Sequence, residues 1–327
     1  MSFLWGEGKG GCGMITHLQG DCRDILPTLP ADSFDCVVTS PPYWGLRDYG
    51  VDGQIGLEPT LDAYLETMVG VCRELRRVLK PTGTFWLNIG DSYNAHPGQR
   101  KTTDAAGPKQ VSNAGALSAP SRSTSWLKPK DLCMVPNRLA IALQDDGWYV
   151  RSEIIWHKPN PMPESVTDRP TSSHEKVWLL TKGERYFYDA AAISEPFVLP
   201  RGGRTIARGV HGSSQARSVS GQADRSNIGG FTRTNDMRNA RNVWSIATQP
   251  FKGSHFATMP PELVERCVLA GSPKGGLVLD PFGGAGTTGL VADRFGRNAT
   301  LIELNPAYFD MSKRRISDDA PLFAEVK

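Results

Sequence analysis

The 327-residue sequence predicts an α/β fold on a mixed, mostly parallel sheet, and two patterns carry that reading. Short apolar runs alternate with segments of helical period, which is the grammar of β-α-β units. Near the end of the chain, LVLDPFGGAGTTGLVADRFGRNATLIELNP reads strand, glycine loop, helix, strand without interruption.

The elements follow in order. GMITHLQGD (13–21) and FDCVVTS (34–40) predict strands, the second apolar enough to be buried on both faces. Leu61, Tyr64, Leu65, Met68, Val69, Cys72, Leu75 and Leu79 recur at spacings of three and four. That spacing predicts an amphipathic helix stopped by Pro81 and Gly83. TFWLNIGD (84–91) follows as another buried strand. Residues 92–130 are small, polar and punctuated by Pro and Gly, and read as a long mobile loop. A helix is expected near 135–148, a strand in YVRSEIIWHK, and a hairpin turning at Lys182 and Gly183 within EKVWLLTKGERYFYD. A helix entered through Pro260 and Pro261 and ended by Gly271 leads into the glycine loop.

Composition narrows the function classes. The six cysteines form no C-x-x-C pair and no His/Cys spacing typical of zinc, so no metal site or disulfide framework is expected, and a reducing interior is the natural setting. No apolar run approaches the length of a membrane span and the first residues lack signal-peptide order, which predicts a cytoplasmic protein without a membrane partner. A net charge of +3 does not announce a polyanion, but eight arginines face two acids between Arg201 and Asn242. That stretch, rich in Gly, Ser and Asn, is either a solvated loop or a segment that tracks phosphates.

Gly284, Gly286 and Gly289 fit G-x-G-x-x-G between a strand and a helix, with Glu303 at the tip of the next strand. Glycines permit a tight turn and close ligand approach, and a carboxylate at that tip can accept both ribose hydroxyls. A nicotinamide dinucleotide would set its pyrophosphate on the helix N-terminus. Asp280, followed by Pro281 and Phe282, instead offers an anionic entrance suited to the ammonium and sulfonium of S-adenosylmethionine; the alternative for Asp280 is a turn or cap residue.

TSPPYW (39–44) leaves the second strand through consecutive prolines. Together with LDPFGGAGTTG it resembles the paired catalytic and cofactor motifs of the DNA amino-methyltransferases, which methylate cytosine N4 or adenine N6. The likeness extends through GTFWLNIGD, IIWHKPNPMPES and HFATMPPELVERC. With the catalytic motif first, the order resembles the family's circularly permuted β group. The resemblance implies a Rossmann-like fold of the S-adenosylmethionine-dependent methyltransferase type with a smaller target-recognition region. It divides the chain into a catalytic half (1–195, with the 92–130 insertion), a target-recognition region (196–245) and a cofactor half (246–327). S-adenosylmethionine is the implied cofactor and double-stranded DNA the implied partner, with a cognate restriction endonuclease left open.

Residue by residue, the resemblance assigns catalysis to Ser40, Pro41, Pro42 and Tyr43. Ser40 Oγ and the Pro41 carbonyl are acceptors for amino hydrogens, the prolines fix their aim, and Tyr43 offers a stacking face for an extruded base. Trp44 either extends that wall or packs. Asp21, Asp280, Pro281, Phe282, Gly284, Gly286, Thr287 and Glu303 are expected at the cofactor. Arg233, Arg238, Arg241 and Lys158 are expected to contact DNA; Trp156, Lys158 and Asn160 lie in a segment that resembles the strand bordering the base pocket, with a surface phosphate contact as the alternative for Lys158. Serine at the first motif position inclines the reading toward cytosine N4, with adenine N6 as the alternative. An NAD-dependent oxidoreductase would leave Ser40–Tyr43 without a role, and a DNA-binding module would not need Asp280 or Glu303.

Overall fold

The computed structural model describes residues 13–94, 117–118, 124–196, 237–249 and 258–319. Within them the chain forms β1 (Ile15–Gln19), α1 (Cys22–Ile25), β2 (Phe34–Thr39), β3 (Arg47–Asp48), α2 (Leu61–Val78) and β4 (Leu79–Ile89). Next come β5 (Leu117–Ser118), α3 (Val135–Asp145), β6 (Tyr149–His157), β7 (His174–Thr181), β8 (Glu195–Pro196), β9 (Met237–Arg238) and β10 (Val243–Ser245). The last part adds α4 (Pro261–Gly271), β11 (Leu277–Asp280), α5 (Thr287–Arg294), β12 (Asn298–Glu303) and α6 (Pro306–Asp319).

Eight strands make one sheet in the order β1-β12-β11-β2-β4-β7-β6-β10. Within it β7 alone runs against its neighbours; every other adjacent pair is parallel. This is the mixed, mostly parallel sheet expected, and β2 lies beside β11, which brings the two motifs together across the middle. The catalytic strand precedes the cofactor strand in the chain, the order expected of the permuted arrangement.

Alternation along the central strands explains the layers. Phe34, Val37, Phe85, Leu87 and Leu279 face a core shared with α2 and α3. Their neighbours Cys36, Val38, Trp86 and Val278 face a second core under α4 and α5. A strand buried on both faces must be apolar at consecutive positions, which is why these runs show no polar alternation. No helix among the described residues is long and apolar enough to cross a membrane.

Three local expectations are corrected. Helix α2 does not run on to be stopped by Pro81 and Gly83: it ends at Val78, Leu79 is already extended, and both residues sit inside β4. Between the pairs Phe34↔Leu79 and Cys36↔Thr84 the register shifts, so Pro81, which has no N–H to donate, occupies the bulge. Residues 184–189 do not return as a hairpin arm, because both edges of β7 are already taken by β4 and β6. Residues 92–130 are not wholly loop: β5 pairs with β3, and Tyr93 bridges Leu132.

Candidate active site

The C-terminal ends of the central strands open on one cleft of about 330 Å³. That is where parallel sheets place their ligands. Ser40, Pro41, Pro42, Tyr43 and Lys158 line it together with Asp21, Asp280, Pro281, Phe282, Gly284, Thr287 and Glu303. The Thr39 hydroxyl donates to Asp280 Oδ1 at 2.6 Å, joining the two motifs across a separation of 241 positions.

On the cofactor side nearly every polar atom is held by the protein. Asp280, only 2 % exposed, also accepts from the Phe282 amide at 3.0 Å and, through Oδ2, from the Thr288 hydroxyl at 2.7 Å. Its carboxylate is therefore a buried turn anchor and not an open entrance, and burial raises its pKa against the lowering effect of these bonds. Glu303 Oε2 accepts from Gly284 N at 2.7 Å and Oε1 from Asn305 N at 2.8 Å. Burial raises Glu303 as well, with the Asp280 charge adding to it.

Gly286 opens α5 with φ +75°, and a Cβ there would meet Ser312 Oγ at 2.2 Å, so only glycine serves. Gly286 does its work in the turn, outside the cleft lining. Thr287 accepts from Arg315. Asp21 caps α1 and pairs with Arg23; burial opposes its ionisation, but the Arg23 bonds and charge outweigh burial and hold it below the usual value.

These features fit S-adenosylmethionine and disfavour a dinucleotide. The Gly284 amide, which a pyrophosphate would need, is already given to Glu303, and two carboxylates stand at the loop. A ligand carrying positive charge relieves the cost that burial imposes on both.

The base side is a network of side chains from separate strands. Tyr64 donates to the Pro42 carbonyl at 2.9 Å and pins the loop to α2. Tyr43 lies against Gly90, where a Cβ would come within 2.6 Å of the ring. Its hydroxyl donates to Glu175 Oε2 at 2.7 Å and receives Ser40 Oγ at 3.3 Å. Asn88 Nδ2 lies 3.3 Å from Ser40 Oγ, 3.1 Å from the Tyr43 hydroxyl and 2.9 Å from Glu175 Oε2. Lys158 pairs with Glu175 Oε1 and lies 4.5 Å over the Trp156 ring. Asn160 and Thr248 exchange three bonds at the rim.

Asn88 and Glu175 were not foreseen. Each had a signal: an amide inside the apolar run FWLNI, and an acid opening the apolar run of β7. Buried polar groups of that kind need partners. Of the two readings of Lys158, pocket border and surface phosphate contact, its place in the cleft fits the first, because Glu175 and Trp156 hold it inside. Trp44 packs in the core, donating to the Glu58 carbonyl, and does not extend the wall. Asp91 accepts from the Ser92 and Val135 amides and so caps α3. Arg238 and Arg241 both bond Glu195 and are not among the cleft residues. The remainder of the arginine-rich segment, Arg233 included, and His255 lie outside the described residues.

Comparison with known proteins agrees with this arrangement. The pattern of the N6/N4 DNA methylase family matches residues 34–314. The type II methyltransferase M.SmaI of Serratia marcescens is 47 % identical over 91 % of this chain and 89 % of its own. M.Cfr9I of Citrobacter freundii is 43 % identical over 93 % and 88 %. Among solved structures, PvuII DNA methyltransferase, described as cytosine-N4-specific, superposes with a TM-score of 0.61 at 18 % identity, covering 94 % of this chain and 92 % of that one. A putative DNA modification methylase of Thermus thermophilus complexed with S-adenosyl-L-methionine gives 0.54 at 26 %, covering 95 % and 97 %. A family pattern that runs through both halves of the cleft, and relatives this similar over almost their whole length, make this chain a member of the N6/N4 DNA methylase family: an S-adenosylmethionine-dependent type II DNA methyltransferase.

Proposed function

We propose that the enzyme methylates the N4 amine of a cytosine extruded from duplex DNA. The observation that carries this reading is the presence of a neutral hydroxyl, Ser40 Oγ, at the head of the proline turn and in one cleft with the glycine loop. In the family that this motif resembles, the first motif residue separates the targets imperfectly: serine tends to accompany cytosine N4, and aspartate or asparagine adenine N6.

When bound, S-adenosylmethionine supplies an electrophilic methyl group on sulfur. The chain's part is to bind and aim. The free lone pairs of Glu303 suit ribose hydroxyls, and its two amide donors fix the direction of the carboxylate. Ser40 Oγ and the Pro41 carbonyl accept amino hydrogens, which favours a pyramidal nitrogen and offsets the charge that develops there. Tyr64 engages the next carbonyl, that of Pro42, so the turn cannot rotate. The Tyr43 ring gives the base a stacking face, and in-line displacement then depends on position.

Residues 196–245, assisted by 92–130, are proposed to recognise the target sequence; the support is the arginine excess. A DNA substrate makes the cytoplasm the expected place of work, and a restriction endonuclease reading the same site is the expected companion. The test is incubation with labelled S-adenosylmethionine and duplex DNA followed by nucleoside mass spectrometry. N4-methylcytosine is expected; N6-methyladenine alone would reject the base assignment and leave the enzyme class intact.

A further inference from the structure

The reaction leaves a proton to be removed. After methyl transfer the exocyclic nitrogen carries a positive charge and a surplus hydrogen. Asn88 is 3 % exposed and touches Ser40, but an amide is not a base at neutral pH. Asp280 is the carboxylate nearest to the motif in the chain of bonds from Thr39, yet its oxygens are committed to Thr39, Thr288 and Phe282 and do not reach Ser40.

The hydrogen bonds around Tyr43 have a direction. A carboxylate accepts only, so Tyr43 must be the donor in its 2.7 Å contact with Glu175. Its hydrogen thus committed, the Tyr43 oxygen can only accept from Ser40, at 3.3 Å. Asn88 Nδ2, whose nitrogen likewise only donates, faces the oxygens of all three residues. The Ser40 hydrogen is therefore turned toward Tyr43, and a lone pair of Oγ remains for the substrate.

We infer that Glu175 is the proton sink of this methyltransferase, acting through a hydroxyl relay from Ser40 to Tyr43; the inference rests on the reading of Ser40 as the acceptor of the target amine. In the relay the amine N–H bond breaks as Ser40 Oγ takes that proton. The Ser40 hydrogen passes to Tyr43 Oη, and the Tyr43 hydrogen passes to Glu175 Oε2. Charge balances: the sulfonium has become a thioether, the nitrogen returns to neutrality, and the carboxylate becomes a carboxylic acid. The Glu175 side chain, partly exposed and paired with Lys158 through Oε1, then returns the proton to water. Burial and the Glu175 charge keep the Tyr43 phenol protonated between turnovers, as a relay requires. Glu175 touches no reacting atom and is a positioning residue in that sense.

The test uses single-turnover methylation by the full chain, with cofactor and DNA affinities measured separately. The variants are S40A, Y43F, E175Q, the Y43F/E175Q double variant and E175D. Y43F keeps the ring and removes one oxygen, so it tests the relay even where E175Q disturbs folding. Expected are roughly ten- to hundredfold slower transfer in Y43F and E175Q with both affinities unchanged, a double variant no slower than the slower single, and partial recovery in E175D. Wild-type rates in Y43F and E175Q with S40A inactive would overturn the relay and leave the Ser40 reading standing. A wild-type rate in S40A would overturn both. Losses that add, accompanied by weaker DNA binding, would make Glu175 a wall of the pocket and nothing more.

Discussion

The two sides of the cleft are built by different means. On the cofactor side, one continuous segment of strand, loop, helix and strand supplies Asp280, Gly284 and Glu303, with Asp21 added from the end of β1, and the carboxylates of that segment are fixed largely by backbone amides and hydroxyls close by in the chain. On the base side, the turn after β2 contributes Ser40 and Tyr43, β4 Asn88, β7 Glu175 and the segment after β6 Lys158, and these hold one another. A site fixed by backbone tolerates little change of residue but is local. A site fixed by side chains is assembled only when the sheet forms, and its members are coupled.

Asp280 is where the two sides meet, so its replacement carries the largest expected effect. D280A strands two buried hydroxyls and the Phe282 amide, at a cost of roughly 2 kcal/mol or more. Cofactor binding and thermal stability should fall together; a normal melting temperature with normal S-adenosylmethionine affinity would show that the joint is dispensable.

Gly90 separates the sides cleanly. The methyl group of G90A would lie 2.6 Å from Tyr43 Cε2 and push the ring, an overpacking cost of about 1–3 kcal/mol. Methyl transfer should slow by roughly tenfold or more while cofactor affinity stays, since a shift of this kind costs one or more decades in rate. Equal loss of both would mean that the two sides are not independent.

A smaller effect follows from the buried carboxylates. Burial raises Asp280 and Glu303, so the folded protein retains protons there that the unfolded chain has released. Their contribution to stability is greatest at low pH and declines as pH rises from the ordinary carboxylate range through the raised folded values. A cationic ligand prefers the ionised forms, so the stabilisation by S-adenosylmethionine in a thermal-shift titration should grow across that window. A ligand shift that shrinks with rising pH would contradict the assignment of these acids to the cofactor.

The smallest expected change is at Arg238 and Arg241, which already share Glu195. Replacing both with Ala should weaken DNA binding a few fold and flatten its salt dependence, without changing cofactor affinity. Unchanged DNA affinity would leave them with the structural pairing alone.

The contrast between the sides also explains what the sequence disclosed. The glycine loop and Glu303 were legible because spacing within one β-α-β unit dictates their meeting. Ser40–Tyr43 were legible because two prolines at a strand end restrict the backbone wherever they occur. Asn88 and Glu175 were not: Asn88 reaches Tyr43 through the pairing of β4 with β2, and Glu175 only through the antiparallel insertion of β7 beside β4. For Lys158 two readings stayed open for the same reason: its partner lies on another strand, and without that partner a lysine after a strand also looks like a surface cation. The bulge at Pro81 was hidden because it depends on the register with β2.

The most direct test is a crystal structure with S-adenosylhomocysteine, the product of the donor. The ribose is expected on Glu303 and the sulfur across the cleft from Ser40 Oγ, with space between them for a methyl group and an amine. A product bound with its sulfur turned away from Ser40, or on another face of the sheet, would contradict the shared cleft.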